Sequence, residues 1–457
     1  MRGLETTYHR FSERLAPKIS QVKNVAVAAV VREEHPLYFQ FHIPTRIISG
    51  PGTLAELEDT RHLPPGEHAM IVTGESDAML KTGYLQRVQG YLANRGVATI
   101  LFDRIKPNPE SETVDEGAAV ARDKQVDFVV GLGGGSTIDS AKSIALMARN
   151  GGSYWDYMRG GSGGEKTPDA PALPIVALPT TAGSGTEANP WTVITRSGHR
   201  EKIGWGNEST FPHLSIVDPQ LTLSLPLRIT AYTGMSAFFN AVAAILASSR
   251  QPASDMLALE AIQIISRFLP CAVKDGADQN ARTMLSWAST AAGMCAALAS
   301  GVSHHALAHA LSAFAPRLSH GAGLTLSSEA YFSWLATRRP ERFDLLADAM
   351  GRMPEDETVD GARRFPAALR HLIQSVGLGD ESLANYGLGT DDVPALARHV
   401  VETMDALCDV TPVPRDLPDI EAILSDTMRD SRMRTNAGQA NSSSAKTDPQ
   451  RRSSHGP

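Results

Sequence analysis

The sequence predicts an α/β domain built on a parallel sheet, followed by an all-helical domain. Three observations carry this. Between Phe39 and about Pro219, short apolar segments alternate with amphipathic helical stretches, as strands joined by crossover helices do. After Pro226 the strand signals fade, and Ala-, Leu- and Met-rich segments of helical periodicity take over. Within the first region the run GLGGGSTIDSAK (Gly131–Lys142) follows the apolar segment Phe128–Val130 and opens into a helical pattern. Three consecutive glycines let the backbone turn tightly and approach a ligand. The helix start beyond them offers N–H groups and a positive dipole end, which suits a pyrophosphate.

The expected strands are Met70–Thr73, Ala98–Phe102, Phe128–Leu132, Ile175–Leu178 and Leu214–Val217, with helices at roughly Ala78–Leu92, Thr113–Asp123 and Ile138–Asn150. The helical region reads as Thr230–Ala247, Ala253–Phe268, Ala281–Leu298 and Ser303–Phe314, with further helices to about Met428. A chain of 457 residues exceeds one core. The division expected is an N-terminal arm over 1–38, an α/β domain over 39–226, a helical domain over 227–428 and a tail over 429–457. The tail is rich in Ser, Arg, Gln and Asn, and such a composition predicts disorder. The basic N-terminal stretch lacks the long apolar region of a secretory signal.

A net charge of −7 argues against nucleic acid as a general partner. No apolar stretch is seen to reach transmembrane length, so no membrane is expected. Cys271, Cys295 and Cys408 stand far apart, which fits a reducing cytoplasm and neither a disulfide framework nor a zinc ribbon. A homodimer is expected only because it is the commonest closed assembly.

The chain resembles the iron-containing (group III) alcohol dehydrogenases, relatives of the dehydroquinate synthase fold. The residues that carry the resemblance are PTRIISGPGTLAEL (Pro44–Leu57), PNPESETVDEG (Pro107–Gly117), GGGSTIDSAK, SYWDYM (Ser153–Met158) and LPTTAGSGTEANPWTVIT (Leu178–Thr195). They continue through IVDPQLTLSLP (Ile216–Pro226), TAYTGMSAFFNA (Thr230–Ala241), AGMCAALASGVSHHALAHAL (Ala292–Leu311) and SHG (Ser319–Gly321). The resemblance implies a Rossmann-like domain binding NAD(P)(H) and an interdomain cleft where a small alcohol and its carbonyl interconvert. It implies that Gly134, Gly135 and Ser136 cradle the pyrophosphate, with Asp139 near the helix start. Thr180, Thr181 and Ser184 match positions that contact the nucleotide, and Lys202 matches a lysine near the nicotinamide ribose. Where NAD-preferring relatives carry an aspartate, this chain has Gly74, beside Glu75. The glycine leaves room for a 2′-phosphate and the glutamate repels one, so NAD and NADP both stay open.

The family's metal positions depart from the pattern. An aspartate and a histidine at i and i+4 on one helix are Ser236 and Asn240 here, and the usual nearby glutamate is Ala243. His305 and His320 match the remaining ligands, and His309 matches a histidine near substrate and nicotinamide. Two histidines and two neutral oxygen donors suit Fe²⁺ or Zn²⁺ poorly. The expectation is therefore hydride transfer without the metal, with His309 or His305 as general acid and Ser236 and Asn240 as hydrogen-bond donors. One alternative recruits His304 into a rebuilt histidine site, although neighbours on a helix diverge by about 100°. Another is a catalytically silent, nucleotide-binding homologue, and a dehydroquinate-synthase-like cyclase ranks last. The substrate pocket is expected to include Trp191, Phe238, Phe239 and residues after His320, with at least one of the two phenylalanines in the core instead.

Overall fold

The computed structural model describes residues 39–351, 361–413 and 416–429. The arm over 1–38 and the tail from residue 430 onward lie outside the described residues. The described elements belong to the compact unit that begins at Phe41.

Strands β1 (Arg46–Ser49), β2 (His68–Gly74), β3 (Ala98–Ile105), β4 (Phe128–Gly133) and β5 (Ile175–Pro179) are followed by the hairpin β6 (Thr192–Arg196) and β7 (Glu201–Trp205), then β8 (Leu214–Val217). Six of them form one sheet in the order β1-β8-β5-β4-β2-β3, parallel at every pairing. The sheet sits where the sequence puts it. The strands β1, β6 and β7 are additions. RIIS at Arg46–Ser49 is short and only half-buried, which gives it no clean alternation. The hairpin carries Thr, Arg, Glu and Lys among its apolar residues, because part of it faces a cavity rather than a core.

Helices α1 (Tyr84–Asn94), α2 (Ser111–Asp123) and α3 (Gly135–Met147) cross between the strands. The helix expected over 78–92 is broken at Gly83, whose φ of 74° ends one short turn before α1 starts. Strand β4 is buried along its whole length, as parallel strands covered on both faces are. Its alternate residues feed two cores. Phe128, Val130 and Leu132 join Leu85, Val88 and Leu92 of α1 on one face. Val129 joins Val114, Ala118, Ile144 and Ala145 of α2 and α3 on the other. That second core runs on without a break into the helical region.

The helical region comprises α4 (Leu227–Leu246), α5 (Pro252–Lys274), α6 (Gln279–Ala299), α7 (Ser303–Phe314) and α8 (His320–Ala336), then α9 (Phe343–Met350), α10 (Gly361–Ser375) and α11 (Val393–Thr403). Helix α5 continues through Pro270, six residues beyond its expected end. One sequence expectation is corrected here. By length and composition, α4 and α5 qualify as membrane spans, with a mean hydropathy of 1.5 each. A search for uninterrupted apolar runs misses α4 because Ser, Thr and Asn punctuate it without adding charge. In this fold 83% of the qualifying α4 window, and 39% of that of α5, is buried inside the protein.

Candidate active site

The β4–α3 turn ends at a cavity of about 370 Å³. This volume falls in the range of about 300–1,000 Å³ typical of small-molecule sites. Its α/β wall includes Gly135, Ser136 and Asp139 from the start of α3, Thr181 and Ser184 from the loop after β5, and Lys202 from β7. Its helical wall includes Ser236 and Asn240 on α4, His305 and His309 on α7, and His320 at the start of α8. The cavity thus sits at the carboxyl ends of the sheet strands, where open α/β sheets bind ligands.

Close backbone contacts hold the α/β wall. Gly135 lies against Ser184, such that a Cβ on the glycine would come 2.8 Å from the serine Cβ. Gly185, at φ 62°, meets Gly293 of α6 backbone to backbone, and a Cβ on either would collide with the other. Behind the wall, Lys142 is fully buried and donates to Thr186 Oγ1 (2.5 Å), Asn189 O (2.8 Å) and Trp191 O (3.0 Å). Asp139 accepts from Thr186 Oγ1 at 2.6 Å and from the Val193 amide at 3.0 Å. Burial raises the Asp139 carboxyl above its usual range, against the pull of Lys142. Burial also lowers the Lys142 ammonium to about 8, against the pull of Asp139. This network pins the loop 186–191 to α3.

Lys202 is 3% exposed, and its Nζ donates to Asn108 Oδ1 at 2.6 Å. Asn108 adopts a left-handed φ of 55°, which asparagine tolerates better than most residues. Its Nδ2 donates to Pro316 O (2.8 Å) and Leu318 O (3.2 Å). Burial lowers the Lys202 ammonium to about 8, with Asp139 opposing the shift.

On the helical wall, Asn240 Nδ2 donates to Ser184 O at 3.3 Å, which turns its Oδ1 toward His305. His305 Nε2 lies 2.8 Å from that Oδ1, so Nε2 carries the proton. Two of the four positions matching metal ligands are therefore hydrogen-bonded to each other. The His305 and His320 rings are 5.8 Å apart between centroids, and those of His309 and His320 are 5.0 Å apart. Burial pushes His305 down to about 4. Burial first, then the Lys202 charge, holds His309 well below its usual value. Burial and the neighbouring His309 do the same for His320. All three rings are neutral near pH 7, and the Nδ1 of each has no hydrogen-bond partner. Among the described residues, no three His, Cys, Asp or Glu side chains group as a metal-holding set.

Most sequence-predicted residues meet at this cavity, and the exceptions have physical reasons. Gly134 and Thr180 stand just behind the wall. A Cβ on Gly134 would come 3.2 Å from Thr181, while the Thr180 amide donates to Gly133 O at 2.9 Å. Gly74 and Glu75 lie off the cavity at the carboxyl end of β2, with Glu75 exposed. Phe238 and Phe239 do not line the pocket. Both are fully buried, stacked on Phe365 and Phe332 respectively. Of the α8 residues past His320 only Gly321 reaches the wall, because the helix turns most of the others into the core. His304 points away, packed among Phe239, Tyr331 and Phe332 with Nε2 3.0 Å from Leu324 O. It is not available to a rebuilt histidine site. Trp191 lines the cavity as expected. Sequence reasoning passed over Asn108 and Lys142, and also Ser300, Met404 and Leu407 on the wall. The Asn108-Pro109 pair is a turn signal that marks a loop, but nothing local announces its partner 94 residues away.

The profile of the iron-containing alcohol dehydrogenases matches residues 44–219, and that of the Fe-containing alcohol dehydrogenase C-terminal region matches 230–428. A 1,3-propanediol dehydrogenase of Klebsiella pneumoniae is 32% identical over 374 residues, 80% of this chain and 94% of that protein. An NAD-dependent methanol dehydrogenase of Bacillus methanolicus is 30% identical over 390 residues, 85% of this chain and 99% of its own. Among solved structures, an alcohol dehydrogenase of an archaeal halo-thermophile from a Red Sea brine pool superposes with a TM-score of 0.81 at 31% identity. That match covers 86% of this chain and all of the other.

Proposed function

This chain belongs to the iron-containing alcohol dehydrogenase family, and on that premise we propose that it reduces a small aldehyde or ketone with NADH or NADPH without the family's metal. That it is an oxidoreductase of alcohols and carbonyls, with a nicotinamide cofactor, follows from the family and its NAD-dependent relatives.

The observation that carries the metal-free reading is the Asn240–His305 hydrogen bond. Ser236, Asn240, His305 and His320 supply no anion, and one histidine nitrogen is already committed to an amide oxygen. Iron(II) and zinc need about four converging ligands with charge compensation, and this donor set does not fit them.

The cofactor is better matched. Gly135 and Ser136 present the start of α3 to the cavity, a position suited to a pyrophosphate. Gly74 ends β2, where a Cβ would meet Ile105 O at 3.5 Å, and the exposed Glu75 stands beside it, so the reading covers both nicotinamide forms. When bound, the reduced nicotinamide supplies the hydride. His309, neutral in this setting, polarises the carbonyl as a hydrogen-bond donor. Asn240 and His305 brace each other and fix the shape of the helical wall. We read reduction as the working direction, and whatever group protonates the alkoxide oxygen in that direction takes the alcohol's proton in the reverse one. Asp139 is engaged by Thr186 and Val193, and burial has made the histidines weak bases.

The test is turnover of NADH and NADPH across a panel of aldehydes and ketones, using protein stripped by chelation and assayed for bound metal. Sustained oxidation in the stripped protein is the expected result. Activity lost on chelation and restored by Fe²⁺ or Zn²⁺ overturns the metal-free reading.

A further inference from the structure

Hydride transfer to a carbonyl puts a full negative charge on an oxygen. In a buried site that charge needs a positive partner or preorganised donors. The described cavity wall holds three histidines, the Asp139 carboxyl and one lysine or arginine, Lys202.

Three features make Lys202 more than a loop cation. It lies on β7 two residues before Gly204, so both side-chain directions share one face of the strand. A Cβ on Gly204 would stand 3.8 Å from His309 Cε1, so that face is the one turned toward α7 and the histidines. The ammonium is tethered at one point only, to Asn108 Oδ1, and Asn108 is itself fixed by the segment 316–318 that leads into His320. An ammonium has three donors, and the other two find no protein acceptor among the described residues. Lys142 is the contrast. It is equally cationic, but all three of its donors are spent on the protein. The groups facing Lys202 are Asn108, Asp139, His309 and His320.

We propose that Lys202, tethered by Asn108, is the catalytic cation of this cavity, stabilising the negative charge that hydride transfer places on the carbonyl oxygen and giving that oxygen its proton. This rests on the reading of the protein as a metal-free reductase. In the step, the C–H bond at the nicotinamide breaks and its electron pair forms the new C–H bond at the carbonyl carbon. The C=O π pair moves onto oxygen, which takes a proton from Nζ to become a hydroxyl. The nicotinamide is oxidised and the carbonyl reduced, and the lysine recovers its proton from water.

The experiment compares wild type, Lys202→Met, Lys202→Arg and Asn108→Ala, all stripped of metal. It follows cofactor affinity by nicotinamide fluorescence and hydride transfer by single-turnover absorbance. Expected for Lys202→Met is a loss of at least about a hundredfold in the transfer rate measured at saturating cofactor, the usual scale for removing one oxyanion donor. Lys202→Arg recovers part of the rate, and Asn108→Ala loses rate while keeping the charge. If Lys202→Met fails to fold, Asn108→Ala carries the test, and an unchanged transfer rate there overturns the proposal. So does a Lys202→Met whose cofactor affinity collapses while its transfer rate at saturation is unchanged, which makes the lysine a cofactor anchor. A loss confined to the KM of carboxylate-bearing carbonyls also overturns it, by making the lysine a substrate anchor. If the stripped wild type itself transfers no hydride, the underlying reading falls and takes this one with it. That failure is distinguishable because it occurs in the unmutated protein.

Discussion

The two walls of the cavity solve opposite problems. On the α/β side, the charged groups behind the surface are consumed by the protein: Lys142 by Thr186, Asn189 and Trp191, and Asp139 by Thr186 and Val193. On the helical side, His305 and His309 are buried and His320 partly so, and the Nδ1 of each is buried without a partner. An unsatisfied buried polar atom costs roughly 1–3 kcal/mol, a cost the helical wall carries at its rings. The comparison teaches that burial of Lys142 and Asp139 is matched by hydrogen bonds, whereas burial of the histidines leaves ring nitrogens unmatched.

The sharpest way to break the comparison is to remove the cation that orders the α/β wall. Lys142→Met leaves the acceptors Asn189 O and Trp191 O, and the Thr186–Asp139 pair, without their donor in a fully buried site. Breaking a buried charge pair typically costs about 3–5 kcal/mol, and that loss is expected in urea unfolding of Lys142→Met. A loss below about 1 kcal/mol would mean that the wall does not depend on this network.

The helical wall answers to acid instead. His305 titrates near 4 in the folded protein and near 6.5 when unfolded. Between those values the unfolded chain binds more protons, so stability falls as pH drops from about 6.5 toward 4 and is unaffected above 6.5. His305 alone contributes on the order of 3 kcal/mol to this fall, and His309 and His320 act in the same direction. Unfolding midpoints measured between pH 4 and 7.5 check the sign. The slope should flatten in His305→Gln, and an unchanged slope there would mean that folding leaves the ring's proton affinity unaltered.

How far the sequence could be read follows the same divide. The parallel sheet was legible because strands buried on both faces leave continuous apolar runs, as at Phe128–Leu132 and Ile175–Leu178. The glycine turn was legible because its chemistry is local. The histidine set on α7 and α8 could be named from the sequence, but its protonation could not, because neutrality comes from burial by elements far away in the chain. Phe238 and Phe239 illustrate the limit. An aromatic pair on a helix reads equally as pocket or core, and only the stacking partners Phe365 and Phe332 decide it. Asn108 and Lys202 show the same limit for polar pairs, since hydrogen bonds between distant segments leave no periodic trace.

The smallest expected effect sits at the hinge of the helical wall. Helices α6 and α7 bend by 108° relative to each other, and the turn falls on Ser300, with φ 64° and ψ −175°. That region belongs almost entirely to glycine, and a side chain held there costs about 1–3 kcal/mol. The strain sits beside His305, since a Cβ on the following Gly301 would come 3.4 Å from its Nδ1. Ser300→Gly removes the strain but frees the unfolded chain, at a cost of about 0.4–1 kcal/mol. The expected net is a gain of about 1 kcal/mol in urea unfolding. A destabilised Ser300→Gly would mean that the serine side chain contributes more here than its backbone strain costs, and the strain assigned to the helical wall would have to be sought in the histidines alone.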